Sequence, residues 1–298
     1  MLPSQDMIAS ILHDMEWVLP LRHDAITPVF KAFTFLGFTE FFFAALPLLY
    51  WCWNKESGNR VAMLTLLAAI LTLFFKDLFQ DSRPPIELAV SNLRPDSYGL
   101  PSGHTLMAIV FWGSLAVETR NRWILVIAAI MIPGITLSRL YLGVHDLEDI
   151  LGGLVIGGLL LTAFLLWKRC RLNCCSETTL WVGFFLFPVI LIFVWPHGEV
   201  TGKMLLVSGF YLAWMIGQRI EHRLISFRSP LRWRKLAVAL LGMLILMLLA
   251  YIFRSLIFKV GVPRSFAPAL GGTLIGFSST VFVPWFLFKL KLLQRSKS

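Results

Sequence analysis

At 298 residues the chain is long enough for one or two soluble domains, but 57% of its residues are hydrophobic and its mean hydropathy is +0.74. That composition excludes a soluble globular protein and defines an integral membrane one. The formal net charge of +10 is accordingly a topology signal rather than a nucleic-acid footprint, and no nucleic-acid partner is expected.

The first 36 residues mix Asp6, Asp14, Glu16, Arg22, Asp24 and Lys31 with apolar side chains, and Pro20 and Pro28 interrupt them. The pattern predicts short amphipathic helices lying at the membrane interface. No basic stretch precedes an apolar run with a small-residue cleavage site, so a removable signal peptide is not expected. Apolar stretches of spanning length follow at 38–53, 61–80, 104–118, 123–142, 147–167, 179–195, 204–218, 236–257 and 268–288. They predict an all-α, polytopic membrane helix bundle of about nine spans.

Nine spans distribute the loops over two alternating faces, and most of the 27 Lys and Arg residues fall on one of them. The positive-inside rule makes that face cytoplasmic, with the C-terminus inside and the N-terminus outside. Cys52, Cys170, Cys174 and Cys175 fall at or near cytoplasmic span ends, where thiols stay reduced. Lacking matching histidine spacing, they read as free thiols rather than zinc ligands. Juxtamembrane palmitoylation of the 170–175 group is the minor alternative.

The polar residues that break the apolar pattern gather on the opposite, outer face. The loop from Asp81 to Gly103 carries two Pro-rich turns, SRPP and LPSGH, together with Glu87, Arg94, Asp96 and Tyr98. Lys76 stands near the outer end of the second span, Arg139 near the outer end of the fourth, and His145 at the outer start of the fifth. A Lys or Arg in hydrocarbon costs about 2.5–3.5 kcal/mol on insertion scales, so three cations beside two histidines call for a partner. A phosphoryl group, whose charge spreads over its equatorial oxygens during transfer, suits them.

Two local patterns supply the rest of such a site. In PSGH, Pro101 to His104, Ser102 is placed to cap the third span and Gly103 to let the backbone approach an anion. The helix N-terminus would then face that anion, and His104 would point into the same pocket. His145 and Asp149 are four residues apart and share a helix face. A carboxylate bonded to one ring nitrogen fixes the tautomer and leaves the other nitrogen free as a nucleophile. Asp146 is placed to cap the fifth span, Gly152 to Gly158 read as helix packing, and Glu148 receives no role.

Lys76 to Pro84 matches K-x6-R-P, Pro101 to His104 matches P-S-G-H, and Ser138 to Asp149 matches S-R-x5-H-x3-D. In this order they resemble the three signature motifs of the type 2 phosphatidic acid phosphatase superfamily. The resemblance implies a metal-independent phosphatase that uses a phosphohistidine intermediate and no cofactor. His145 would be the nucleophile and Asp149 its orienting carboxylate; His104 would protonate the leaving alkoxide and later activate water. Lys76, Arg83, Arg139, Ser102 and Gly103 would hold the phosphoryl oxygens.

On this reading residues 1–36 are the interfacial segment, 37–168 the phosphatase core and 179–289 accessory spans, in one integrated membrane domain. The implied substrate is a phosphorylated lipid drawn from the surrounding membrane lipids: phosphatidic acid, a sphingoid-base phosphate, or a polyprenyl phosphate or pyrophosphate. The site would face the outside of a bacterial inner membrane or the lumen of the endoplasmic reticulum. No oligomeric state is assigned. The span count also resembles the glucose-6-phosphatase branch, which makes a sugar phosphate the alternative substrate. Phosphotransfer to a lipid acceptor, or a binding-only role as transporter or scaffold, would also fit the pattern. A multispanning chain argues against the haloperoxidases of the superfamily. No cluster of Asp, Glu or Cys with metal-ligand spacing is visible, so no metal is expected.

Overall fold

The computed structural model describes residues 12–90, 97–170 and 177–295. After a short 3-10 helix at Glu16–Leu21 come α1 (Thr27–Phe35), α2 (Thr39–Cys52), α3 (Lys55–Phe79), α4 (Gly103–Thr119), α5 (Arg122–Tyr141) and α6 (Leu147–Cys170). They are followed by α7 (Glu177–Phe193), α8 (Gly202–Leu224), α9 (Lys235–Val260), α10 (Ala267–Phe277) and α11 (Val283–Lys289). A π-helical segment, Ser278–Phe282, joins the last two helices. Strand β1 (Phe227–Arg228) pairs antiparallel with β2 (Gln294–Arg295), Phe227 opposite Arg295.

Every apolar stretch predicted from the sequence falls on a helix, the last on α10, the π segment and α11 together. The protein is thus an all-α polytopic membrane protein. Fewer helices than expected meet the length and hydropathy of a span. They are α3, α5, α6, Arg232–Val260 and Ala267–Lys289, with a sixth if α1 and α2, bent by 52°, form one broken span. The shortfall has simple causes. Helix α4 has 17 residues, the apolar part of α7 is only Trp181–Phe193, and α8 carries Lys203, Arg219, Glu221 and Arg223.

The chain divides into two compact units, one of Met1–Phe42 with Leu71–Leu172 and one of Phe43–Ile70 with Asn173–Ser298. The division runs through α2 and α3. In the first unit α4 packs on both α5 and α6, and α1 packs on α5. The glycines of α6 make that packing close. A methyl group on Gly153 would meet the Ser102 carbonyl at 2.8 Å and Thr105 at 3.0 Å, and one on Gly157 would meet Ile109 at 3.2 Å. Gly158 faces open space, so the packing role belongs to part of the glycine run. Before α1, Met15 and Val18 are buried in a cluster with Leu140 and Ile150.

The second unit has its own polar core. Buried Glu221 accepts hydrogen bonds from Tyr50 Oη (3.1 Å), Lys55 Nζ (2.7 Å) and the Phe227 N–H (2.8 Å). Trp51 Nε1 donates to the Ser279 carbonyl at 2.7 Å. Around the π segment Ser278, Ser279 and Thr280 donate their hydroxyls to carbonyls four residues earlier, a side-chain alternative to the regular ladder that accompanies helix distortion. A cavity of about 670 Å³ in this unit is lined by Lys55, Arg60, Arg219, His222 and Arg228 among others. Cys52 is a free thiol whose Sγ lies 3.7 Å from the Lys235 carbonyl. Cys174, Cys175 and the side chain of Cys170 lie outside the described residues, as do Arg94 and Asp96.

Candidate active site

The turn between α5 and α6 carries the central histidine, and its backbone dictates a glycine. Gly143 has φ +64°, in the left-handed region that a side chain disfavours. The Val144 N–H donates to Arg139 O at 3.2 Å and the Gly143 N–H to Leu140 O at 2.9 Å, closing α5. A methyl group on Gly143 would run into the Leu88 carbonyl. Gly143→Ala is therefore expected to destabilise the protein by about 1–3 kcal/mol through strained backbone. Thermal unfolding in detergent checks this, and an unchanged midpoint would show that the turn tolerates a side chain.

Asp146 then caps α6, its Oδ1 accepting the Asp149 N–H at 3.0 Å, the arrangement that satisfies an otherwise orphan amide at a helix start. One turn along the helix, Asp149 Oδ2 accepts His145 Nδ1 at 2.6 Å. The histidine is 1% exposed and the aspartate 0%. The other ring nitrogen, Nε2, is 3.1 Å from Arg83 Nη1. Arg83 is held by the Val144 carbonyl (2.6 Å), the Ser97 carbonyl (2.6 Å) and the Ser97 hydroxyl (3.1 Å). Burial first, and then the cations Lys76, Arg83 and Arg139, hold the His145 ring well below the ordinary imidazole value. It is therefore neutral, with its proton on Nδ1 toward Asp149 and its lone pair on Nε2.

The other predicted residues surround this pair. Lys76 is buried and donates to the carbonyls of Tyr98 and, at 2.6 Å, Gly99. Arg139 is fully buried; its Nη1 donates to the Thr34 hydroxyl, while Nε and Nη2 have no hydrogen-bond partner among the described residues. His104 stands edge-on to Phe38 at 5.1 Å, and its buried Nε2 likewise has no partner among them. Lys76, Arg83, Arg139 and His104 all lie close enough for their charges to act on His145. The three motifs, far apart in sequence, thus meet in one pocket.

Ser102 corrects one expectation. It occupies the cap position of α4 in extended backbone, but its side chain makes no capping hydrogen bond. Its hydroxyl instead accepts from Thr105 Oγ1 at 3.1 Å, and its N–H donates to the Asp149 carbonyl at 2.8 Å. That N–H is engaged rather than free, and it ties PSGH to the helix turn of Asp149. Gly103 opens α4 beside Thr72, whose Cγ2 is 3.0 Å from where a Cβ would stand.

Sequence reasoning missed several partners. Thr34, Ser97 and the carbonyls that hold Lys76 carry no motif. Asp81 does have a signal, since it lies between Lys76 and Arg83 in KDLFQDSRP. It converges with Asp146 and Asp149, the three carboxylates offering oxygens within 4.8 Å of one another. Spacing along the chain shows no such cluster, because only folding brings these three residues together. By donor chemistry the three could share a cation, but the charges of Lys76 and His13 already act on them, and they serve as the anionic counterweight to the pocket's cations.

Residues 58–172 match the PAP2 superfamily, and every motif residue named above lies inside that segment. The chain is 30% identical over 135 residues to human sphingosine-1-phosphate phosphatase 2, covering 42% of this chain and 34% of that protein. It is 30% identical over 142 residues to lipid phosphate phosphatase delta of Arabidopsis thaliana, with 42% and 34% covered. Phosphatidylglycerophosphatase B of Bacillus subtilis is 25% identical over 156 residues, with 47% and 74% covered. The chain thus spans about a third of the length of the first two relatives. Among solved structures, a transmembrane PAP2 type phosphatidylglycerolphosphate phosphatase from Bacillus subtilis aligns with a TM-score of 0.47 at 20% identity, over 57% of this chain and 89% of that one.

Proposed function

We propose that the protein is a membrane phosphatase that hydrolyses a lipid phosphate monoester or pyrophosphate through a phosphohistidine. The observation that carries this reading is the buried pair of a neutral His145 and Asp149 at 2.6 Å, set among three cations. In the first step the Nε2 lone pair attacks phosphorus, the P–O bond to the lipid breaks, and His104 delivers a proton to the departing alkoxide. Asp149 stabilises the positive ring that results. Arg83, which donates to Nε2 beforehand, passes to a phosphoryl oxygen as the P–N bond forms. Lys76, Arg139, the hydroxyl of Ser102 and the backbone of Gly103 complete the oxyanion cradle. In the second step His104 takes a proton from water, whose oxygen displaces His145 and releases phosphate. No step calls on a metal.

Residues 37–168 hold this machinery and 179–289 are accessory. The positive-inside distribution supports a site on the extracytoplasmic or lumenal face, where a head group enters while its tail remains in lipid. The names of the relatives favour a sphingoid-base phosphate or phosphatidylglycerophosphate over phosphatidic acid and polyprenyl phosphates. The test is phosphate release by the purified protein from a panel of these lipids and of glucose 6-phosphate, with and without chelator. Turnover of lipid phosphates that persists in chelator is expected. Turnover of the sugar phosphate alone would overturn the lipid reading, and loss of activity on chelation would overturn the metal-free mechanism.

A further inference from the structure

The segment preceding α1 is fastened to the α5–α6 turn at several points. Met15 and Val18 are buried against Leu140 and Ile150, with Leu88 and Leu147 packed around them. Arg22 donates to the Leu88 carbonyl and, at 3.0 Å, to the Tyr141 carbonyl. The His23 N–H donates to Tyr141 Oη at 2.9 Å. At the far side of the turn His13 reaches two carboxylates: Nδ1 is 2.8 Å from Asp146 Oδ2, and Nε2 is 3.0 Å from Glu148 Oε2. These contacts embrace the turn that carries His145 on both sides.

The two contacts of His13 differ in consequence. Glu148 is 40% exposed on its side chain, so that contact is screened by solvent and weak alone. Asp146 is 3% exposed, and its two oxygens are divided: Oδ2 receives His13, while Oδ1 accepts the Asp149 N–H. Asp149 in turn fixes the His145 tautomer. A continuous set of hydrogen bonds therefore runs from His13 through Asp146 and Asp149 to the nucleophile. A ring with a carboxylate on each nitrogen needs both nitrogens as donors, which only the imidazolium provides.

Resting on the phosphatase reading above, we propose that protonated His13 is a positioning residue of the active site. By holding Asp146 it sets the first turn of α6, and with it the approach of Asp149 to His145. Glu148, which has no part in the chemistry, gains one as the second anchor of the clamp.

The charged groups facing His13 are Asp146 and Glu148 on α6 and Asp81 after α3. The hydrogen bond to Asp146 and the charges of all three raise its pKa above the ordinary imidazole value, against the opposing effect of burial. Because the folded value is raised, the clamp is fully formed below the ordinary value and is lost as pH rises through the raised one. Turnover by the wild type should therefore fall on the alkaline side as His13 loses its proton.

The experiment compares the full chain in detergent with His13→Ala, His13→Arg, Glu148→Gln and His145→Ala, all on the lipid phosphate the wild type hydrolyses fastest. His13→Ala should lower kcat about tenfold, the usual scale for a group that orients a catalytic one, with KM unchanged. His13→Arg, permanently charged and able to bond two carboxylates, should recover most of kcat and lose the alkaline fall. Glu148→Gln, a surface change that leaves folding intact, should move that fall to lower pH. Wild-type kcat in His13→Ala, an arginine variant no better than alanine, or an unmoved alkaline limb in Glu148→Gln would each overturn the proposal. Undiminished turnover by His145→Ala would instead overturn the phosphohistidine reading, so the two failures are distinguishable.

Discussion

Replacing His145 with alanine is expected to lower phosphate release by about 10⁴-fold or more, as removal of a nucleophile does elsewhere. The expectation follows from the geometry around one nitrogen. Nε2 carries the lone pair because Nδ1 holds the ring's proton and donates it in a hydrogen bond to Asp149. His104, the second imidazole of the pocket, has a backbone hydrogen bond with Thr34 in place of a carboxylate, and its Nε2 is buried without a partner among the described residues; the proposed mechanism gives it proton delivery rather than attack. The alanine variant leaves Asp149 Oδ2 without its donor, so His145→Asn serves as a companion that can still donate to the carboxylate. Both should be inactive, and neither should form the acid-labile phosphoprotein expected of the wild type when quenched after a short reaction with labelled substrate. Label retained on the His145 variants would place the phosphoryl group on another residue and sink the assignment.

The second large effect concerns Arg139, and activity and stability should move apart. A fully buried guanidinium with two nitrogens unpartnered among the described residues is an expensive group to keep in a membrane helix, because desolvation is only partly offset by Thr34. Such a group is retained for what it binds. Arg139→Met is therefore expected to lower turnover by about 10²- to 10³-fold, the scale for losing a preorganised donor to developing charge. The same variant should unfold at an unchanged or higher temperature, since methionine fills similar space without a buried charge. Turnover and thermal midpoint measured on one preparation decide the matter. A fall in both together would make Arg139 a structural residue and remove it from the phosphoryl cradle.

Much of this site is readable from sequence because its residues obey local rules. His145 and Asp149 fall four apart on one helix face, Asp146 falls at a helix start, and three cations interrupt apolar runs that otherwise exclude charge. Those patterns survive folding unchanged. What the sequence conceals depends on distance along the chain. His13 and Asp146 are separated by 133 positions, and nothing in either neighbourhood announces the other. Thr34 looks like any threonine until Arg139 arrives beside it. Ser102 shows the opposite failure: its sequence context suits a helix cap, but Thr105 and the Asp149 carbonyl compete for its polar groups and prevail. At α8 the apolar positions fall on a helix as expected, but charged residues share it, so it misses the hydropathy of a span.

The division of the chain through α2 and α3 bears on how the protein could be cut. The residues of the pocket all belong to Met1–Phe42 and Leu71–Leu172, whereas the intervening Phe43–Ile70 belongs with Asn173–Ser298. A chain shortened after residue 172 would keep every group proposed to hold the phosphoryl oxygens. It would also strand Tyr50 and Lys55 without Glu221, and Trp51 without the Ser279 carbonyl, inside a stretch that the shortened chain cannot leave out. A chain cut there is therefore expected to unfold at a lower temperature than the full chain, because the parts of α2 and α3 that it must retain lose these partners.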